Sequence, residues 1–422
     1  MGANNRFNDF TIDGVSFNDP FGLNANGFGT MRNPISLDFV DQISIDITPF
    51  DVARGNTTGG SIAVVTKSGS NEFHGSVYFS ERDESNIGED QAGEDYPAFT
   101  EETTTLTLSG PIIKDRLFFF VGYEEFEKSN PALYGTIDSN AQNKAETLTS
   151  AMAEQIKSIA KNTYGYDAGV INGATFPETH EEYNVKIDAV INDANRAILN
   201  YSKTESYYPR KYNGGATVFS NNYYAKPPII ERSSIELYSN VTDRLSTKLK
   251  FSRYEMDEND ASIGDGLFPE VNIEVGGDNV YLGGDRYRGA NHIMVDEDFL
   301  VLKADYDNDD SVLTFGIEKA ETSVYNLFIA RYNGEIRFDS IADFEAGTWS
   351  YLRFHTPIAG NDQVGTAAAD FEIEKTTMYI QDKWYANDDL TLVFGFRYDQ
   401  VVTPTEPHLN PKFLERNGIG NN

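Results

Sequence analysis

The 422-residue chain contains no cysteine. That excludes disulfides, thiolate metal sites and cysteine nucleophiles. Basic residues are scarce: 34 Lys and Arg stand against 66 Asp and Glu, a net charge of −32. The basic footprint that nucleic-acid binding needs is missing. Long hydrophobic runs are missing too. The longest, "LFFFVG" over 117–122, falls far short of the ~20 residues of a membrane-spanning helix. This excludes helical spans but not a membrane β-barrel, whose strands alternate and average to low hydropathy. The first residues, "MGANNRFNDF", have neither the basic start nor the apolar centre of a signal peptide. Tryptophan is scarce as well, 2 against 28 Phe and 24 Tyr. An aromatic content of 13% opposes the disorder that acidity alone would suggest. Tyrosine in quantity suits places where an apolar layer meets water.

From residue 73 onward one unit repeats: strand, tight turn, strand, long polar excursion. The pattern predicts eleven strands, near 73–82, 102–110, 117–127, 182–191, 196–205, 232–241, 246–256, 296–306, 311–321, 375–386 and 389–400. In "DLTLVFGFRYD", Leu390, Leu392, Phe394, Phe396 and Tyr398 share one face, and Thr391, Val393, Gly395, Arg397 and Asp399 the other. Likewise Tyr183, Val185 and Ile187 alternate with Asn184, Lys186 and Asp188. Five connections are short and rich in Asp, Asn or Pro, as hairpin turns require: 111–116, 192–195, 242–246, 307–310 and 386–389. The connections between them are long: 83–101, 128–181, 206–231, 257–295 and 322–374. In an antiparallel meander successive turns fall at opposite ends, so the short turns share one rim and the long loops the other. A soluble sandwich mixes loop lengths at both ends. The strict alternation instead predicts an all-β, antiparallel transmembrane barrel. Its lumen is polar, because Thr105, Thr107, Lys186, Asp188, Lys248, Lys250 and Arg397 oppose the apolar residues of their strands.

The long loops carry acidic clusters and two helical patterns. Over 143–165, Leu148, Met152, Ile156 and Ile159 form one face; a second pattern covers 339–347. Residues 1–72 differ from the rest. Shorter strand-like pieces separated by Asn/Gly loops predict a small α+β or mostly β segment.

Motifs for chemistry fail on inspection. Gly55 and Gly60 have phosphate-loop spacing, but Ser61 and Ile62 follow where Lys and Ser/Thr are required, and Lys67-Ser68 comes after a strand. Asp305, Asp307 and Asp309 have calcium-loop spacing, yet Asp310 replaces the required Gly and Gly316 the bidentate Glu. His74, His180, His292, His355 and His408 form no zinc pattern. There is no nucleophile elbow, and no two of the many carboxylates stand out as a glycosidase pair.

The stretch "VDQISIDITPFDVARGNTTGGSIAVVTKSGSNEFHGSVYF" over 40–79 resembles the end of the plug of TonB-dependent outer-membrane receptors. The shared features are Ile43 and Ile45, Arg54-Gly55, Gly59-Gly60, Ile62, Val64, Thr66-Lys67, Gly69 and the "NEFHGSVYF" that leads into the first barrel strand. With "LSGPIIKDRLFFFVGYE" over 108–124 the chain is most similar to the Oar-like group. "FTIDGVSFNDPFG" over 10–22 resembles an earlier plug strand and its apical loop.

The resemblance implies two domains: 1–72, the C-terminal part of a plug, and 73–422, the first half of a barrel of about 22 strands. Family members carry a signal peptide, and most a TonB box, ahead of the plug, so the chain is expected to begin partway through it. It implies the outer membrane of a Gram-negative bacterium, a TonB energising complex as partner, a small-molecule or peptide ligand, no cofactor and no catalysed chemistry. Arg54 and Gly55 match the plug motif whose Arg pairs with barrel carboxylates. Asn18, Phe21 and Asn24 fall on the apical loop and are the ligand-contact candidates. The expected function is energised import. The rival readings are a passive barrel or adhesin, and a soluble acidic β-sandwich hydrolase.

Overall fold

The computed structural model describes residues 4–420 apart from 20, 23, 48–49, 56–58, 90–92, 94–95, 358–363, 407–408 and 410. Eleven long strands form one continuous antiparallel sheet: β1 (His74–Asp83), β2 (Thr100–Ile113), β3 (Leu117–Pro131), β4 (Thr175–Asn192), β5 (Asn195–Arg210), β6 (Ile229–Thr242), β7 (Leu245–Asn259), β8 (Asn291–Asp307), β9 (Ser311–Phe328), β10 (Ala369–Asn387) and β11 (Leu390–Val402). Each pairs with its sequence neighbours, so the sheet is a pure meander with β1 and β11 as its edges. All eleven predicted strands are present, and most run past the predicted ends on the long-loop side. The tight turns are 114–116, 193–194, 243–244, 308–310 and 388–389. Register shifts next to four of them tighten the local twist.

Register explains why this sheet has its polar face inside. Leu249, Leu302, Ile317, Met378 and Tyr398 stand side by side across five strands, and all are exposed. One residue along, Glu236, Lys250, Val301, Glu318, Thr377 and Asp399 form the neighbouring row on the opposite face. The period of two makes this inversion complete: a slip of one residue would turn every apolar side chain inward. In β4 alone His180, Glu182, Asn184, Lys186 and Asp188 are all buried, while Tyr183 between them is exposed. A soluble sheet does the reverse, so the solvent of the outer face is apolar. Tyr123 and Tyr183, rings 5.0 Å apart, lie well above the turns, whereas Tyr306 and Trp384 stand beside them.

The segment before β1 forms a separate four-stranded sheet ordered 15–16, 9–12, 61–66, 40–46, with 9–12 and 61–66 parallel. Phe10, Ile12, Phe17, Ile35, Phe39 and Val64 of this inner sheet share a core with Phe120 of β3, Ile230 of β6, Tyr254 and Met256 of β7, Val295 of β8 and Val324 of β9. Strands lie about 4.8 Å apart, so a flat sheet could not reach so small a body from strands as far apart as β3 and β9. The large sheet therefore curves around the inner one as a wall.

The loops on the long-loop side are not loose. Pieces of 132–174, 211–228, 260–290 and 329–368 fold together into a cap. Its five-stranded sheet runs 217–218, 278–282, 270–275, 335–338, 351–353. Helix α1 (Ser150–Tyr164) starts at Thr149, whose side chain accepts the Met152 N–H, and stops at the left-handed Gly165. It buries Ala153, Ile156, Ile159 and Ala160 against Val271, Ile273, Val280 and Leu282. Met152, expected on the apolar face, lies on the flank of the first turn and stays part-exposed, while Ala153 and Ala160 take the inner positions. Helix α2 (Ile341–Ala346) adds Phe344, stacked on Tyr164 at 5.0 Å.

Candidate functional site between the inner sheet and the wall

Besides the apolar core they share, the inner sheet meets the wall through a few buried polar contacts. The central one is the turn after the strand 9–12. Asp13 and Gly14 both take left-handed conformations, with φ of 48° and 69°. Asp13 uses its carboxylate twice. It accepts the backbone N–H and hydroxyl of Thr66 at 3.1 and 2.6 Å, and it meets Lys186 Nζ of β4 at 3.2 Å. Its carbonyl accepts Lys250 Nζ of β7 at 2.7 Å. Lys186 also donates to the Thr66 carbonyl at 3.0 Å, and Lys250 pairs with Glu236 at 3.3 Å. Both lysines are buried. Such cations are tolerable away from water only with this density of partners. Gly14 is required twice over, for its φ and because a Cβ there would sit 2.8 Å from Lys250 Nζ.

Other contacts surround this knot. The Ser36 N–H donates to Glu182 Oε2 at 2.8 Å. Arg232 is almost fully buried over the Phe17 ring at 4.4 Å, and its guanidinium finds no hydrogen-bond partner among the described residues. Arg32 lies 3.4 Å over the Phe126 ring, with Glu124 at 4.0 Å. Water-sized space flanks the knot. A recess of about 780 Å³ on the tight-turn side is lined by Asp41, Thr66, Ser68, Lys186 and Arg196. A cavity of about 350 Å³ on the other side is lined by Asp9, Gly14, Lys250, Glu297, Glu318 and Arg397.

The sequence-predicted residues fall around this interface in unequal ways. Arg54 pairs with Asp46 at 2.6 Å, a carboxylate of the inner segment itself and not one of the wall. This pair is local because Asp46 ends the strand that runs up to the same turn. The wall grips this turn in the opposite sense: Arg397 of β11 donates to the Val52 carbonyl at 2.9 Å and pairs with Glu318 at 3.0 Å. Gln381 of β10 accepts the Val52 N–H at 3.1 Å. Gly55 lies under Arg397, where a Cβ would come within 2.6 Å of the guanidinium. Asn18 is committed to its own loop, accepting the Phe10 N–H and donating to the Asn8 carbonyl, both at 2.8 Å. Phe21 packs on the shared core. Asn24 is buried and accepts Lys226 Nζ at 3.0 Å.

Sequence reasoning placed Lys186, Lys250 and Arg397 on the lumen face but missed Asp13 as the counterpart of the two lysines, and missed the separate contact between Ser36 and Glu182. The Asp-Gly pair was the available signal for the turn. Its partners lie 173 and 237 residues away, beyond any local pattern. The residues weighed for metal chemistry are occupied otherwise: Asp309 pairs with Arg244 at 2.6 Å, Asp305 with Lys303 at 3.1 Å, and His180 meets Ser206 Oγ at 2.8 Å. His408 lies outside the described residues.

The cap has an electrostatic centre of its own. Arg286 pairs with Glu270 at 2.8 Å and with Glu335 at 2.6 Å, and Arg331 also contacts Glu335. Burial pushes the Glu270 carboxyl up to about 7 against the pull of Arg286. Burial, with Glu258 beside it, likewise pushes Asp260 up to about 7. Exposed Asp138 goes the other way, to about 2, held down by the hydroxyls of Thr136 and Ser150.

Comparison with known proteins agrees with this architecture. The family model described as an outer membrane beta barrel domain matches residues 65–297. A stretch of 131 residues is 37% identical to the TonB-dependent transporter Oar of Myxococcus xanthus, covering 29% of this chain and 12% of that protein. Among solved structures, the outer membrane transporter YddB from Escherichia coli superposes with a TM-score of 0.63 at 14% identity, over 95% of this chain and 49% of that one. The siderophore receptor PirA from Acinetobacter baumannii gives 0.57 at 15% identity, over 94% and 49%. The copper transporter OprC gives 0.51 at 10% identity, over 95% and 48%. The chain thus spans about half the length of these solved relatives and a smaller part of the curated one. The family model covers more than half of the chain, and a meander with its apolar face outward, short turns on one rim and folded loops on the other agrees with it: the chain belongs to the outer-membrane β-barrel family, and a stretch of it is homologous to the TonB-dependent transporter Oar.

Proposed function

We propose that the chain is the plug end and first barrel half of an energised outer-membrane importer. Residues 1–72 act as the C-terminal part of the plug and 73–422 as barrel. The observation that carries this reading is the character of the plug's seat. Besides the apolar core it shares with β3 and β6–β9, the plug grips the wall through the buried hydrophilic contacts of Asp13, Lys186, Lys250, Glu182 and Arg397. Water can replace such contacts one at a time, with little net cost once both partners are rehydrated. A permanent stopper would have no use for buried ion pairs and hydrogen bonds beside its apolar core, whereas one that must move and return is suited by them.

In this reading a small-molecule or peptide ligand docks on the loop side, against the cap and the 18–28 loop. Asn24 and Phe21 contribute position rather than direct contact. An inner-membrane TonB complex then pulls on the plug, the Asp13 and Arg397 contacts rehydrate, and a path opens along the wall. Relatives are described as carrying siderophore, enterobactin and copper cargo; the ligand here is of unassigned chemistry. Lys186, Lys250 and Arg397 at the seat each hold a carboxylate or a carbonyl, which supports a holding role for these cations.

The test is uptake by cells expressing the full-length gene product, with and without the inner-membrane energising complex. Loss of uptake on deleting the complex is expected. Unchanged uptake would overturn the importer reading in favour of a passive barrel or adhesin.

A further inference from the structure

Two rigid bodies approach each other at one lysine. The first is the 18–28 loop of the inner sheet. Its Asp19 carboxylate accepts the N–H groups of Phe21, Gly22 and Asn24 at 3.0, 2.9 and 2.7 Å, so the loop is tied into a single knot. Asn24 is fully engaged: its carbonyl accepts Arg6 Nε at 2.9 Å, its side-chain N–H donates to the Phe28 carbonyl at 3.0 Å, and its side-chain oxygen accepts Lys226 Nζ. A displacement of that oxygen is therefore a displacement of the loop.

The second body is the rim where β5 and β7, the latter carrying Glu258, pass into the root of the cap. Lys226 lies on the short strand Tyr224–Lys226, which pairs with the end of β5 and with Ala261–Ser262. Its ammonium pairs with Glu258 at 2.8 Å, and both are largely buried. Two residues beyond Glu258, Asp260 pairs with Arg288 at 3.2 Å. Arg288 lies 4.1 Å over the ring of Tyr224, which returns the connection to the strand of Lys226. Segments 224–226, 258–262 and 285–288 thus close a ring of contacts, and Asn24 hangs from that ring by Lys226.

We propose that Lys226 is a positioning residue that transmits displacement of the cap to the apical loop of the inner sheet. The purpose of the link rests on the importer reading, but its existence does not. A buried ammonium shared between a carboxylate and an amide oxygen has no slack: if 258–262 or 285–288 shift, Lys226 must follow Glu258 or be left as an unpaired buried charge, and Asn24 is released or dragged. The 780 Å³ recess and the Asp13 knot lie on the far side of the inner sheet, so a signal entering at Asn24 arrives on the same small sheet that carries Asp13.

The test is hydrogen exchange on the full-length protein in detergent, following peptides that span 18–32, the cap core over 152–160 and 271–282, and the wall. Lys226→Met should lower the protection of 18–32 about tenfold, with the wall unchanged, and Lys226→Arg should restore most of it. The discriminating variant is Arg288→Met. Arg288 makes no hydrogen bond or ion pair with the described residues of 18–32, yet its loss should lower protection there about threefold. Should Lys226→Met fail to insert, seen as loss of heat-modifiable migration, Glu258→Gln is read in its place and should act alike. Protection of 18–32 within twofold of wild type in Arg288→Met would overturn the proposal, leaving Lys226 a local support. Expected exchange together with energy-independent uptake would keep the link and discard the importer.

Discussion

The wall and the cap are built by one chain with opposite rules. In the wall the alternating strand puts Leu302, Ile317 and Met378 outside and Lys186, Lys250 and Glu318 inside. In the cap, Val271, Ile273, Val275, Val280 and Leu282 point into a dry core packed by α1, and the buried charge is gathered apart from it in the cluster of Arg286, Glu270 and Glu335. The difference teaches that an apolar residue follows the local solvent and has no preferred side of a strand. The wall is surrounded by lipid and encloses water and charge; the cap stands in water and encloses hydrocarbon. What holds each together differs accordingly: hydrogen-bonded ladders and ion pairs in the first, buried apolar area in the second.

The comparison breaks most directly at Asp13. Asp13→Ala leaves Lys186 buried without its carboxylate and should loosen the inner sheet by about 3–5 kcal/mol. Limited proteolysis within 1–72 should accelerate while heat-modifiable migration of the barrel is kept. If the seat were apolar in substance, proteolysis would not change. Next come paired alanines. Ile273→Ala in the cap should cost about 2–5 kcal/mol, as deletions in close-packed cores do. Leu302→Ala on the lipid face should cost far less, because acyl chains fill the gap. Equal losses by exchange or denaturation would erase the distinction. Leu302→Arg sharpens it: a cation on the lipid face should cost about 2–4 kcal/mol near mid-membrane, measured by folding into vesicles.

A smaller effect is expected from pH. Glu270 and Asp260 have folded values near 7, above their unfolded ones. Their folded state binds the extra proton, so cap stability is fullest at low pH and is lost as pH rises through about 7. Asp138, near 2, acts in reverse, and its contribution disappears only as pH falls toward that value. Cap protection should therefore be higher at pH 5.5 than at pH 8, and Glu270→Gln should flatten the difference. The smallest effect is Arg54→Ala. A half-exposed pair with Asp46 predicts a change of about 0–1 kcal/mol, whereas Arg397→Ala should free the 50–55 turn to proteases more strongly.

Legibility in the sequence followed the same divide. The wall could be read strand by strand because a period of two is local, and because Asp115 and Asp309 mark turns that need left-handed residues. The cap could not. "EVNIEV" over 270–275 alternates as clearly as any wall strand, but only its hairpin partner 278–282 is local; its other neighbour, 335–338, comes from a different loop, and nothing near 270–275 in the sequence selects it. Helix α1 was legible from its spacing, but not that its apolar face would be covered by a sheet from elsewhere in the chain. At the seat, the cations were legible as a lumen-facing set, while Asp13 became visible only when the fold brought it to Lys186. Arg54, chosen by resemblance, drew attention to the right turn but not to the residue of the wall that holds it.

The cap also has a consequence for the order of assembly. Tyr164 reaches the Phe344 carbonyl across 180 residues, and Thr147 reaches Asp278 across 131. Between these partners lie six wall strands in the one case and four in the other. Joining them early would mean closing very long, unstructured loops, which is entropically slow. Once β3 to β9 stand in register, the same segments are neighbours and closure is nearly free. The cap is therefore a late event, and its formation certifies that the strands beneath it have been laid down in order.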